Sequence, residues 1–141
     1  MGKARILVLD DEEIVLRSLV AFLKIEGHEV YGVETIAEAA EIVNTRPLDL
    51  ILSDVYMPDG TGFKLLETVR KTHPDLAFVL ITGYGTIEDA VQAIQCGATN
   101  YITKPLVDSE IRLVVEQTLR RNQLKEETEA LREVAQFSRT N

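Results

Sequence analysis

Four short apolar segments of this chain each end in a chemically reactive polar residue. They run into the acidic pair Asp10-Asp11, into Asp54, into Thr82 and into Lys104. Near-continuous apolar runs of this length are typical of parallel strands that are covered on both faces. The carboxyl ends of parallel strands meet at one edge of a sheet, and ligands bind in the crevice outside that edge. The pattern therefore predicts one shared site for these residues.

Hydrophobic periodicity predicts five alternating strand and helix units. The predicted strands cover residues 5–9, 29–33, 48–53, 76–81 and 100–103, and the predicted helices cover 13–26, 37–44, 63–72, 87–96 and 108 onward. This alternation predicts an α/β fold with a parallel sheet, right-handed crossovers and helices on both faces. Gly27 is expected to end the first helix in the left-handed conformation, and Thr35 is a candidate N-cap of the second. The buried stripe of the first helix is expected at Ile14, Leu16, Leu19, Val20, Phe22 and Leu23.

The charge of the chain is uneven, and it limits the kinds of partner that fit. Of the formal net charge of −8, residues 1–117 contribute −9, from 10 Lys or Arg and 19 Asp or Glu, and residues 118–141 contribute +1. An acidic body argues against direct nucleic-acid binding, because the phosphate backbone demands a basic surface. No apolar run approaches the ~20 residues of a membrane helix, and the lone Cys96 cannot form an intrachain disulfide. We therefore expect a cytoplasmic protein that binds neither nucleic acid directly nor a membrane.

The three carboxylates at the predicted site point to a divalent cation. Asp10, Asp11 and Asp54 would repel one another in one crevice unless they were protonated or bound to a cation. Hard oxygen ligands suit Mg²⁺, or Mn²⁺ in its place. Lys104, followed by Pro105, would add a compact positive charge for a phosphate oxygen. Two simpler interpretations stay open: Asp11 could cap the next helix, and Lys104 could be a surface lysine paired with an acid.

Taken in order, these motifs resemble the response-regulator receiver domain of bacterial two-component systems. The motifs are the acidic pair, the Asp-x-x-Met-Pro-x-Gly run from Asp54 to Gly60, Thr82-Gly83 and Lys104-Pro105. The resemblance covers about residues 3–117, and the predicted receiver domain comprises residues 1–117. It implies a flavodoxin-like, doubly wound, five-stranded parallel sheet with strand order 2-1-3-4-5. It also implies a signalling module that catalyses its own phosphorylation and dephosphorylation and is not otherwise an enzyme.

The resemblance assigns a role to each residue at the strand ends. Asp54 is the phosphoacceptor, which receives a phosphoryl group from a sensor histidine kinase. Lys104 and Thr82 complete the catalytic set by contacting the phosphoryl group, and in this family the bond before the proline of Lys104-Pro105 is cis. The metal ligands are Asp10 (directly or through water), Asp11, Asp54 and the backbone carbonyl of Tyr56.

The resemblance also implies a switch. Thr82 is drawn toward the phosphoryl group, and Tyr101, at the aromatic position of the fifth strand, moves inward with it. The affected surface consists of the fourth helix, the fifth strand and the fifth helix. From the residues alone, Tyr101 is equally an amphipathic, half-buried tyrosine. Tyr56 and Tyr84 are expected to shield the acyl phosphate from hydrolytic water and to lengthen its life.

Competing functions fit the sequence less well. Aspartyl-phosphate hydrolases of the haloacid dehalogenase type need an Asp-x-Asp pattern after the first strand, where this chain has Asp10, Asp11 and Glu12. A flavin binder of the same fold needs a phosphate loop there, and adjacent acids would repel a phosphate. A receiver-like interaction module that never carries phosphate is the remaining alternative.

The C-terminal residues 118–141 continue the last helix beyond the usual end of the family. They are predicted to be a helical extension or a linker to an absent effector domain of a longer chain. Leu124 and Leu131 lie one heptad apart, with Thr128 and Ala135 at the companion positions, which makes a short seam. The alternative is a solvated helix. We expect a weak homodimer that involves this extension.

Overall fold

The computed structural model of the chain describes residues 4–83 and 86–140, and for 125–130 and 132–140 it describes the backbone alone. The strands within these residues are β1 (Arg5–Leu9), β2 (Glu29–Val33), β3 (Leu50–Asp54), β4 (Tyr56–Met57), β5 (Gly60–Thr61), β6 (Ala77–Thr82) and β7 (Asn100–Thr103). The helices are α1 (Glu13–Ile25), α2 (Ile36–Thr45), α3 (Gly62–Thr72), α4 (Ile87–Gln95) and α5 (Asp108–Thr140).

The main sheet has five parallel strands in the order β2-β1-β3-β6-β7. This confirms the flavodoxin-like order that the family resemblance implied. A small antiparallel ribbon of β4 and β5 lies outside this sheet. The sequence predicted only a turn there, because strands of two residues are too short to show an alternating hydrophobic pattern.

The hydrophobic core forms one layer on each face of the sheet. On one face, Leu23 of α1 and Val115 of α5 belong to the same cluster as Val8 of β1. On the other face, Leu66 of α3 belongs to the cluster of Leu9. Successive side chains of a strand point to opposite faces, so β1 contributes to both layers. Full burial of one such side chain is worth about 1.5–3 kcal/mol, and burial on both faces explains the near-continuous apolar runs in the sequence.

The structure corrects the expected burial of α1 at one position. Leu16, Leu19 and Leu23 are buried as predicted, but Ile14 is 81% exposed. Each residue of a helix is rotated by about 100° about the helix axis, so two residues correspond to about 200°. Ile14 therefore lies on the opposite face from Leu16, where the buried stripe begins. Gly27, with φ of 97°, confirms the predicted left-handed end of the helix.

Threonines are the N-cap residues of α2, α3 and α4. Thr35, Thr61 and Thr86 each accept a hydrogen bond from the backbone N–H three residues further on. This confirms the predicted N-cap of α2. A threonine cap satisfies one of the N–H groups that lack a partner within the helix.

Helix α5 passes the predicted boundary at residue 117 without a break. Its next turn still contacts the domain, since the Asn122 side chain donates to the carbonyl oxygen of Asp75 at 2.9 Å. Further along, Leu124 and Leu131 are 56% and 69% exposed. The side chains of Thr128 and Ala135 lie outside the described residues, so the apolar seam stays a prediction. No helix in the described part of the chain is long and apolar enough to span a membrane.

Gly62, the first residue of α3, lies where a side chain does not fit. A Cβ at this position would lie 2.6 Å from the carbonyl oxygen of Asp54 and 2.9 Å from Cδ2 of Leu80. The substitution Gly62→Ala is therefore expected to lower the free energy of unfolding by about 1–3 kcal/mol, the range for overpacked cores. Urea unfolding measures it. Gly83→Ala is the matched control, since among the described residues its Cβ would meet nothing within 4 Å. Equal stabilities of the two variants would contradict this account.

Candidate functional site

The structure gathers the acidic residues at the carboxyl edge of the sheet. One carboxylate oxygen from each of Asp10, Asp11 and Asp54 lies within 4.8 Å of the others. Asp10 is wholly buried, Asp54 is 6% exposed and Asp11 is exposed. The three predicted acidic residues therefore form one cluster, at the ends of β1 and β3.

Lys104 provides the positive charge of the cluster. Its Nζ donates a hydrogen bond to Oδ2 of Asp54 at 2.9 Å and lies 3.4 Å from Oδ2 of Asp10. Within the described residues, that buried oxygen of Asp10 has no hydrogen bond of good geometry, so its contact with Lys104 is an ion pair alone. The Lys104–Pro105 peptide bond is cis, as the resemblance implied.

The pKa values of the buried groups show the cost of this arrangement. Burial raises the pKa of Asp10, and the charge of Asp54 raises it further, although the N–H of Glu12 and the ammonium of Lys104 act in the opposite direction. Burial alone would lower the pKa of Lys104, but its hydrogen bond to Asp54 and the surrounding carboxylates raise it overall. The site therefore holds the protonated ammonium of Lys104 beside the buried carboxyl of Asp10, which resists ionisation.

The turn from β1 into α1 explains why two adjacent acids have different roles. Oδ1 of Asp10 accepts the backbone N–H of Glu12 at 2.9 Å, which is the local turn that aspartate favours. Glu12 occupies the N-cap position of α1. Asp11 therefore does not hold the capping position, and its exposed carboxylate faces the cluster.

The segment after Asp54 is anchored at both ends. The backbone N–H of Tyr56 lies 3.4 Å from Oδ1 of Asp54. Asp59, near the tip of the β4–β5 ribbon, accepts the N–H groups of Ile36 and Ala37 at 2.9 and 3.1 Å. These two bonds lower the pKa of Asp59. Sequence reasoning assigned Asp59 only to a turn, because its partners lie more than 20 residues away in α2.

The two residues of the predicted switch differ in their surroundings. Thr82 ends β6 and is 1% exposed, and among the described residues its hydroxyl has no hydrogen-bond partner. A buried hydroxyl without a partner costs free energy, so Thr82 has a bonding capacity that a ligand can satisfy. Tyr101 on β7 is 37% exposed and thus only partly covered. Of the two expected shielding residues, Tyr56 is 55% exposed and Tyr84 lies outside the described residues.

The donor set fits a hard divalent cation. The three acidic side chains offer only oxygen atoms, as Mg²⁺ prefers. The buried Oδ2 of Asp10 is the second sign, because among the described residues it has an ion pair with Lys104 but no hydrogen bond, which a buried carboxylate oxygen normally has. Lys104 alone leaves the cluster with excess negative charge, which a divalent cation would neutralise.

Comparison with known proteins gives the family. The family model of the response regulator receiver domain matches residues 6–116. The photosynthetic apparatus regulatory protein RegA of Rhodovulum sulfidophilum is 39% identical over 100 residues, which are 71% of this chain and 55% of RegA. The response regulator protein PilR of Pseudomonas aeruginosa is 33% identical over 120 residues, covering 85% of this chain and 27% of PilR. The chain belongs to the response regulator receiver domains of two-component systems.

Solved structures agree with this assignment. The crystal structure of NtrX from Brucella abortus superposes with a TM-score of 0.88 at 36% identity, covering 93% of this chain and 30% of NtrX. The beryllofluoride-activated NtrC4 receiver domain dimer gives a TM-score of 0.80 at 33% identity and covers 84% of this chain and 98% of that one. The chain thus spans a whole receiver domain but only about half or less of RegA, PilR and NtrX.

The buried charge of Asp10 should limit stability when no divalent cation is present. Its folded pKa is raised, so its contribution to stability is complete in acid and is lost as the pH rises through the folded value. Asp10→Asn should therefore increase the free energy of unfolding at pH 7, and the gain should vanish in acid. Chemical unfolding across pH, in chelator, measures it.

Asp49→Asn is the control with the opposite sign. Burial raises the pKa of Asp49, but hydrogen bonds and charge from Arg5 outweigh it and lower the pKa overall. Its stabilising contribution is present above the unfolded pKa and is lost as the pH falls through the folded value. Asp49→Asn should therefore destabilise the protein at neutral pH. The same direction of change in both variants would show that site charge does not control stability.

Proposed function

We propose that this chain is a phosphorylation-dependent signalling receiver that accepts a phosphoryl group from a sensor histidine kinase onto Asp54. The observation that carries this proposal is the 2.9 Å hydrogen bond between Nζ of Lys104 and Asp54 inside the acidic cluster. This contact supports the proposal because it joins the carboxylate that would act as the nucleophile to the ammonium that would bind a phosphoryl oxygen, beside the acidic residues that would hold the metal. Such a site can both bind and accept a phosphoryl group.

Asp11, Asp54 and the backbone carbonyl of Tyr56 would hold Mg²⁺, with Asp10 as a direct or water-mediated ligand. When bound, Mg²⁺ supplies positive charge that reduces the repulsion between the attacking carboxylate and the phosphoryl oxygens. The carboxylates of this chain would hold that charge next to the nucleophile, because Asp54 is itself a member of the cluster.

In the proposed transfer, a carboxylate oxygen of Asp54 attacks the phosphorus of the donor. The new O–P bond forms as the P–N bond of phosphohistidine breaks, and the imidazole leaves with the electron pair. Lys104 moves its hydrogen bond from Asp54 to a phosphoryl oxygen and balances the added negative charge. The chain would thus promote its own phosphorylation, and later attack of water on the acyl phosphate would regenerate the Asp54 carboxylate and release inorganic phosphate.

The switch that we propose couples this chemistry to the surface. The Thr82 hydroxyl, which has no hydrogen-bond partner among the described residues, would donate to a phosphoryl oxygen, and Tyr101 would move inward from its partly exposed position. The phosphoryl group can shift this equilibrium only by binding the inward arrangement more tightly. The surface that changes would consist of α4, β7 and α5.

An apolar face of α4 supports the proposal that this surface mediates a weak homodimer. Ile87, Val91 and Ile94 are 83%, 46% and 67% exposed and lie four and three residues apart, so they share one face of the helix. The NtrC4 receiver is a dimer in its beryllofluoride-activated form. Residues 118–141 would extend this interface or lead to an effector domain in a longer chain, while residues 1–117 form the receiver.

Phosphorylation is expected to need both Asp54 and a divalent cation. Acetyl phosphate with Mg²⁺ should add one phosphoryl group to the wild type, and Asp54→Asn should remove this addition because the amide is not a nucleophile. Intact-mass spectrometry measures it, with chelator as a second condition. Asp49→Asn, the same change at the other end of β3, should still accept phosphate. Equal incorporation in wild type and Asp54→Asn would overturn the proposed role.

Dimerisation is expected to depend on the apolar face of α4. Ile94→Glu should weaken self-association, because a charge within an apolar interface loses its solvation. Sedimentation velocity up to roughly 100 μM, where an association of ~5–6 kcal/mol is visible, should show the change with and without beryllofluoride. Ile25→Glu on α1 is the control, since Ile25 is 83% exposed and lies outside this surface. A wild type that is monomeric in both states would overturn the dimer.

A further inference from the structure

Glu12 has an unusual role at the start of α1. The N-caps of α2, α3 and α4 are threonines whose side chains accept a helix N–H. Glu12 holds the same position in α1, yet its side chain makes no cap hydrogen bond. Its Oε1 lies 3.6 Å from Nζ of Lys104 instead. The residue type and the contact together indicate that the Glu12 side chain interacts with the ammonium of Lys104 and not with the N–H groups of the helix.

Lys104 is shared among three carboxylates of different character. Its Nζ lies 2.9 Å from Asp54, 3.4 Å from Asp10 and 3.6 Å from Glu12. The side chains of Asp10 and Asp54 are 0% and 9% exposed, whereas that of Glu12 is 64% exposed. Breaking a buried pair leaves an unpaired buried charge, but an exposed pair can open into water at little cost. Glu12 is therefore the partner that Lys104 can most easily exchange.

We propose that Glu12 is a positioning residue that competes with the phosphoryl group for Lys104 and so slows phosphorylation of Asp54. This inference rests on the proposed function. An approaching phosphoryl group needs the Lys104 ammonium, which is also ion-paired with Oε1 of Glu12 at 3.6 Å, and its negative charge is repelled by that carboxylate. Glu12 stabilises Lys104 in its resting position and disfavours the position that the transfer requires. Removal of its charge should thus accelerate the reaction.

The test compares two neighbouring glutamates. Glu12→Gln should increase the rate of phosphorylation by acetyl phosphate and Mg²⁺ about two- to fivefold, the range that exposed ion pairs reach. The gain should shrink at high ionic strength, because salt screens exposed charges. Glu13→Gln is the matched control: it removes the same charge one residue further on, where the carboxylate pairs with Arg17. Its rate should equal that of the wild type.

A second pair of variants tests the dependence on Lys104. In a Lys104→Met background, Glu12→Gln should no longer accelerate the reaction, because the cation for which Glu12 competes is gone. Intact-mass time courses give all of the rates. Melting temperatures check folding, and none should fall through loss of a cap, since Glu12 makes no cap hydrogen bond.

Three outcomes would overturn this inference alone: an unchanged or lower rate for Glu12→Gln, an equal gain for Glu13→Gln, or a gain that persists without Lys104. Absence of phosphate on Asp54 of the wild type would instead overturn the proposed function, and this inference with it. The failures of the two proposals are thus distinguishable in one set of measurements.

Discussion

The burial of like charges at the carboxyl edge of the sheet is the constraint on which the site depends. Asp10 is wholly buried and Asp54 nearly so, and ionisation of both in a low-dielectric environment costs free energy. The ammonium of Lys104 offsets part of this cost through one hydrogen bond and one ion pair. The remaining negative charge favours the binding of a cation at this edge of the sheet.

The central strands of the fold hold the site residues in place, whereas helix α4 on one side of the domain has few buried residues. Strands β1, β3 and β6 are buried almost throughout, so the residues at their ends have fixed positions. Helix α4 differs, because Ala93 is its only fully buried residue in the described part of the chain. Its C-terminal end is held where Arg70 donates to the carbonyl oxygen of Gly97 at 2.9 Å. An element with so few buried contacts is the one that a change at Thr82 can most easily move.

Hydrophobic periodicity was sufficient to predict the strands of the sheet. The polar residues that follow these strands were sufficient to predict the acidic cluster. Asp54 and Lys104 come together across 50 residues since each ends a strand of one parallel sheet. Strand order came from the family resemblance, because periodicity carries no order. Ile14 was misplaced because an apolar residue next to a stripe was counted with it. The contact of Glu12 with Lys104 joins two different elements, and only the three-dimensional structure reveals it.

The central claim is that Asp54 carries the phosphoryl group, and reductive trapping tests it most directly. An acyl phosphate is reduced by borohydride to an alcohol, so a phosphorylated aspartate becomes homoserine, whereas a free carboxylate does not react. The protein would be treated with acetyl phosphate and Mg²⁺, reduced, digested and sequenced by mass spectrometry. The account predicts homoserine at position 54 alone. Homoserine at position 10 or 11, or none at any aspartate of a protein that has taken up phosphate, would contradict it.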